Sequence, residues 1–156
     1  MTVTSTRTVA INAAFLREIQ QDNEDLAAAF QKARMFSRRQ ATITASSVLG
    51  LFSQLRDLIA MHFALEEAVG YIDDAIDVAP RTSRLAEQLR DEHATLYLSA
   101  CELAEEAERL AYMVGDVGFE RLFQAFLRFD KRWRVHERRE NNLIYHAYFD
   151  EIGDID

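Results

Sequence analysis

Apolar residues recur at steps of three and four along four successive stretches of this chain, and almost nothing interrupts them. That spacing puts them on one stripe of an α-helix. Glycine occurs five times and proline once in 156 residues, so helix is favoured almost throughout. The first stretch runs from about Asn12, in N-cap position, to about 37 and carries Phe15, Leu16, Ile19, Asn23, Leu26 and Phe30. The second, about 44–74, carries Leu51, Leu55, Leu58, His62, Glu66 and Val69. Residues 77–80 break the pattern, with Pro80 placed to open the next helix. The third, about 80–114, carries Leu85, Leu89, His93, Leu96, Ala100, Leu103, Ala107 and Leu110. Gly115 and Gly118 bracket a turn before the fourth, about 119–149, which carries Leu122, Phe126, Phe129, Trp133, His136, Glu140, Leu143 and Ala147. Long helices with short connections predict an all-α fold, one antiparallel up-down-up-down four-helix bundle over residues 1–156.

Composition narrows the function. A net charge of −8 argues against nucleic-acid binding, which needs clustered Lys and Arg against phosphate. One cysteine, Cys101, excludes an intramolecular disulfide and fits a reducing compartment. No apolar run reads as a membrane span, and the polar start lacks the apolar region of a secretory signal. These features together predict a cytoplasmic helical domain with no membrane partner. With no Gly-rich phosphate loop or nucleophile elbow, nucleotide or acyl transfer has no support.

Each stripe carries a polar interruption: Asn23, the pair His62 and Glu66, His93, and the pair His136 and Glu140. Both pairs have the spacing His-x-x-x-Glu, which sets imidazole and carboxylate one turn apart on one helix face. Burying such groups on a core-facing stripe is costly unless something satisfies them. A transition metal shared between helices does so, and carboxylates are able to bridge two ions. The plainer alternative is a set of exposed i,i+4 pairs, worth a few tenths of a kcal/mol each. Exposed pairs, however, should not replace core positions between Leu55 and Val69 or between Phe129 and Leu143.

The order of a polar residue on helix one, HFALEE at 62–67, DEHATL at 91–96 and HERRENNLIY at 136–145 resembles the hemerythrin-like HHE cation-binding domain. The resemblance spans nearly the whole chain. It implies a four-helix bundle holding a non-haem di-iron centre, other divalent transition metals being possible occupants. By position it implies His62, His93 and His136 as imidazole ligands and Glu66 and Glu140 as bridging carboxylates. The chain departs from the family on helix one, where Asn23 stands in the place of a ligating histidine. Tyr97 stands where oxygen-carrying hemerythrins have another histidine. Three histidines in place of five argue against an oxygen carrier. The departure leaves three readings open: an open coordination position near His62, asymmetric loading, or an acid such as Glu67 or one on helix one replacing the histidine.

Other residues carry alternatives of their own. Tyr97 is a candidate to hydrogen-bond a metal-bound ligand, to coordinate the metal or to carry an oxidising equivalent, or else a core tyrosine with its hydroxyl at a helix interface. Trp133 reads as core, His146 as an end-of-bundle residue outside the site, and Cys101 as a small filler. The acids Glu102, Glu105, Glu106 and Glu108 read as a solvated face, and Lys131, Arg132, Arg134, Arg138 and Arg139 as a basic cluster that either pairs with neighbouring acids or docks an anion or a partner. The functional expectation is binding, sensing or reduction of a small oxidant such as O2, peroxide or NO, in the last case as a di-iron oxidoreductase. The rival is a non-catalytic, metal-responsive regulatory or iron-handling module, with a homodimer or a regulatory protein as partner.

Overall fold

A computed structural model describes residues 3–70, 76, 80–113, 115 and 118–146, with side chains described from Gln21 onward, Val69 excepted. Among these residues the chain is all-helical. The long helices are α1 (Val3–Arg38), α2 (Ala45–Val69), α3 (Ser83–Ala111) and α4 (Glu120–Tyr145), with short 3-10 turns at Gln40–Thr42 and Pro80–Thr82.

Helix α1 starts well before the expected cap at Asn12. No glycine or proline lies between Val3 and Arg38, so nothing there stops helix propagation. Thr44 does cap α2: its backbone is extended and its side-chain oxygen accepts from the Ser47 N–H at 3.1 Å. The same helix ends earlier than expected, at Gly70, whose φ of 72° is left-handed and whose N–H donates to the Glu66 carbonyl at 3.0 Å. That conformation suits glycine and marks a helix C-terminus. The expected ends at 74, 114 and 149 lie outside the described residues.

One large apolar cluster holds the helices together. Its centre is aromatic: Phe30 of α1, Phe52 of α2, and Phe123, Phe126, Phe129 and Trp133 of α4. Phe30 stacks on Trp133 at a centroid distance of 5.3 Å, and Phe52 meets Phe126 edge-on at 5.7 Å. A second, smaller cluster comprises Ala86, Leu89 and Leu143. Between the two lies a buried polar layer that includes His62, His93, His136 and Glu140.

Cross-helix contacts follow a regular order. Between α3 and α4, Gln88 meets Arg139, Glu92 meets His136, and Ser99 meets Arg132. Phe52 of α2 lies against Phe123, whereas Phe63 lies against Trp133 and His136. Arg34 of α1 grips the buried Asp130 of α4 with two hydrogen bonds, 2.9 and 2.6 Å. One expectation needs correction. Over Ala45–Ala68, 24 residues, α2 is long and apolar enough by length and composition to cross a membrane. Here Val48, Leu51, Phe52, Leu55, Ile59 and Phe63 are buried against the other helices.

Candidate metal centre

The polar layer is assembled from all four helices. His62 and Glu66 come from α2, His93 from α3, and His136 and Glu140 from α4, all close to the residues that pack the core. The i,i+4 spacing does what helical geometry requires, since His62 Nε2 lies 2.9 Å from Glu66 Oε1 and His136 Nε2 lies 2.9 Å from Glu140 Oε1. The two pairs then meet through His93, whose Nε2 lies 2.7 Å from Glu140 Oε1 and 3.4 Å from Glu66 Oε2. Glu66 thus turns one oxygen to His62 and the other to His93.

Three residues that sequence reasoning did not place in the site also take part. Glu137 of α4 accepts from His62 Nε2 at 3.2 Å. Asp22 of α1 puts Oδ2 3.4 Å from His62 Nδ1. Glu92 of α3 accepts from the His136 Nδ1–H at 2.7 Å and is itself held by Arg139. Each reaches its histidine across a helix interface, which is why spacing along a single helix does not reveal it. Asp22 had an available signal, being adjacent to the suspected Asn23 and an acid on helix one.

The donor atoms fall into two overlapping groups. One is His93, His136 and Glu140; the other is His62, Glu66, Glu137 and Glu140, each with its ligand atoms within 4.8 Å of one another. Glu140 belongs to both. Ligands at about 2.0–2.2 Å from a transition metal lie at comparable separations around it. All three histidines turn Nε2 to the centre, and for His136 and His62 a carboxylate stands behind Nδ1. A carboxylate behind the distal ring nitrogen orients a metal-binding imidazole and raises its basicity. Among the described residues, Glu66 Oε2, His136 Nε2, His93 Nδ1 and Asp22 Oδ2 are buried with no hydrogen-bond partner. An unsatisfied buried polar atom costs about 1–3 kcal/mol. Two of these four face the centre, where a cation would satisfy them. The donor set is one that could hold a metal ion.

The electrostatics are those of protons standing where cations fit. Burial by itself lowers the pKa of His62, but the Glu137 and Glu66 carboxylates outweigh it and push the imidazole up to about 10. Burial likewise opposes the rise at His136, which Glu140 and Glu92 bring about. For Glu140 burial acts upward, and the His136 and His93 imidazoles beside it hold the carboxyl down at about 2. Burial raises the Glu66 carboxyl, with His62 acting against it, and desolvation raises that of Asp22. Apolar shielding completes the site: the Phe63 ring stacks on His93 with centroids 4.0 Å apart, and Trp133 covers His62 at 5.5 Å.

Several expected participants stand elsewhere. Asn23 is exposed, and Asp22 beside it points inward. The inward line of α1 runs Asp22, Leu26, Ala29, Phe30 and Ala33, one residue away from the expected register. Tyr97 is 37 % exposed and lies by Cys101 and Arg56, away from the centre. The inward line of α3 passes from His93 to Leu96 and Ala100, so the i+4 position turns outward. Glu67 is exposed as well. His146 lies against Tyr145 outside the centre, and Trp133 is core, both as expected. No family model matches this chain, and neither a curated protein nor a solved structure matches it.

Proposed function

We propose that this chain is a hemerythrin-like metal–carboxylate protein: an up-down-up-down four-helix bundle that holds two non-haem iron ions and binds, senses or reduces O2, peroxide or NO. The observation that carries the reading is the convergence of three buried Nε2 atoms on Glu66 and Glu140, with carboxylates behind two of the imidazoles. The contact order of the helices supports the topology, because partners on α3 and α4 run in opposite directions along the chain while those on α2 and α4 run in the same direction.

In this reading His93, His136 and Glu140 would hold one ion, and His62, Glu66, Glu137 and Glu140 would hold the other. Bound there, an iron pair would supply redox chemistry and Lewis acidity toward a small oxidant. The chain's own residues bind and orient. Glu92 fixes the Nδ1–H tautomer of His136, Asp22 faces Nδ1 of His62, and Phe63 and Trp133 keep water from most of the centre. Asp22 takes the place that the family gives to a helix-one histidine, but as a carboxylate behind His62.

The test is anaerobic reconstitution followed by metal analysis. About two iron ions per chain are expected, falling to one or none in the double variant His62→Ala, His136→Ala. A wild-type chain that retains no transition metal after desalting overturns the reading. Peroxide added to the loaded protein then separates its branches: sustained turnover marks an oxidoreductase, and a single spectral change without turnover marks a sensor.

A further inference from the structure

The two overlapping donor groups are chemically unlike. His93, His136 and Glu140 offer two imidazole nitrogens and one carboxylate, whereas His62, Glu66, Glu137 and Glu140 offer one imidazole nitrogen and three carboxylates. In the first group the only acid is Glu140, with Oε1 2.7 Å from His93 Nε2 and 2.9 Å from His136 Nε2. In the second, acids surround His62: Glu66 at 2.9 Å and Glu137 at 3.2 Å from Nε2, and Asp22 at 3.4 Å from Nδ1. Glu137 makes the difference. It follows His136 in the sequence, but adjacent residues on a helix point about 100° apart, so His136 serves one group and Glu137 the other.

The groups differ in access to water as well. The side chains of His136, His93 and Glu140 are 1, 6 and 8 % exposed, and the Phe63 ring lies flat on His93. The side chain of Glu137 is 33 % exposed. An open groove between α1 and α4 reaches His62 and Glu137, and none of His93, His136 and Glu140 lines it. The nitrogen-rich group is sealed inside the bundle, and the oxygen-rich group meets solvent at Glu137.

Imidazole suits borderline ions such as Zn²⁺, whereas carboxylate and water suit hard ions such as Mn²⁺. Small hard cations also part with their water reluctantly, so solvent at Glu137 favours one there. We propose that the centre consists of two unlike subsites. A sealed one at His93, His136 and Glu140 prefers a borderline ion such as Zn²⁺. A solvent-facing one at His62, Glu66 and Glu137, sharing Glu140, prefers a harder ion such as Mn²⁺. Mn²⁺ stands below Zn²⁺ in the general affinity order, so the preference is relative: Zn²⁺ in short supply enters the nitrogen-rich subsite and leaves the other to Mn²⁺. Fe²⁺ stands next to Mn²⁺ in that order and also suits imidazole, so iron enters both. The inference deepens the proposed function and rests on it only for the cluster's role in binding metal.

The test gives metal-free, full-length protein one equivalent of Zn²⁺ and then titrates Mn²⁺, whose free-ion electron paramagnetic resonance signal disappears on binding. The wild type should hold about one Zn²⁺ and about one Mn²⁺ per chain at once. Loss of even an outer partner of a metal ligand costs about 10- to 100-fold in affinity. Glu137→Gln should therefore weaken Mn²⁺ at least about tenfold while leaving Zn²⁺ within about threefold. With each metal titrated alone, His93→Ala should do the reverse at the tighter site for that metal. Far-UV circular dichroism checks both folds, and the partly exposed Glu137 makes E137Q decisive by itself should H93A not fold. Displacement of all bound Mn²⁺ by the single equivalent of Zn²⁺, or an equal loss of both metals in E137Q, overturns the unlike subsites. Uptake of two iron ions by a chain that shows no such discrimination removes this inference and leaves the proposed function standing. Zn²⁺ and Mn²⁺ bound as expected by a chain that takes up no iron does the converse, and a chain that binds none of the three metals removes both.

Discussion

At the level of single residues, the candidate centre depends on which ring nitrogen faces inward. Glu92 holds Nδ1 of His136 outward at 2.7 Å, leaving Nε2 for the centre. Replacing Glu92 with Ala should therefore lower metal affinity by about 10- to 100-fold while leaving the helical content unchanged, as measured by competition against a coloured chelator. His62 makes a separate prediction for the metal-free chain. Its pKa is raised from the ordinary 6.5 to about 10, so its protonated form stabilises the fold fully below pH 6.5. That contribution fades as pH rises through about 10. In urea unfolding of the metal-free protein, the destabilisation caused by His62→Gln should be largest near pH 6 and shrink towards pH 10. A penalty that grows with pH would contradict the Glu66 and Glu137 contacts. The same protons compete with a metal for Nε2, so apparent affinity should rise with pH.

At the level of the elements, two glycines of α2 make opposite predictions from one physical fact. Gly50 is exposed within the helix, and a Cβ added there meets nothing within 4 Å. Gly50→Ala should stabilise the chain by about 0.5–1 kcal/mol, because alanine has the better helix propensity and a less flexible unfolded chain. Gly70 is equally open, but its φ of 72° lies in the left-handed region. Gly70→Ala should cost about 1 kcal/mol through backbone strain. Thermal unfolding of the two variants beside the wild type tests the pair, and equal shifts in one direction would refute the helix end assigned to Gly70. Helix existence and type were legible in the sequence because the apolar stripes extend over many turns. Helix ends were less so. Asn12 has the chemistry of a cap, but with no breaker before it α1 runs straight through, whereas Gly70, a usable stop signal, ends α2 before the apolar period in the sequence ends.

At the level of the whole molecule, the polar layer lies between the aromatic cluster and the small cluster of Ala86, Leu89 and Leu143. Metal held there would tie α2, α3 and α4 together. Ligand bound only by the folded state stabilises it by about 4 kcal/mol at a thousandfold excess over Kd. For a chain of this size each kcal/mol moves Tm by about 2–4 °C, so iron-loaded protein should melt roughly 10 °C above protein stripped with a chelator. Identical melting curves would separate the centre from the stability of the fold.

The sequence by itself determined that the chain is helical, which residues form the apolar stripes, and that His62, Glu66, His93, His136 and Glu140 interrupt them. Those properties are local, set by spacing along one helix and by the cost of burying polar groups. Only the tertiary structure decided the rest. It chose Asp22 over Asn23, because the rotation of α1 about its axis is set by how Leu26, Phe30 and Ala33 pack against the other helices. It brought Glu137 to His62 and Glu92 to His136 across interfaces that no single-helix period encodes. It turned Tyr97 outward. A helix carries its own face in its sequence, but what that face meets depends on the packing of all four.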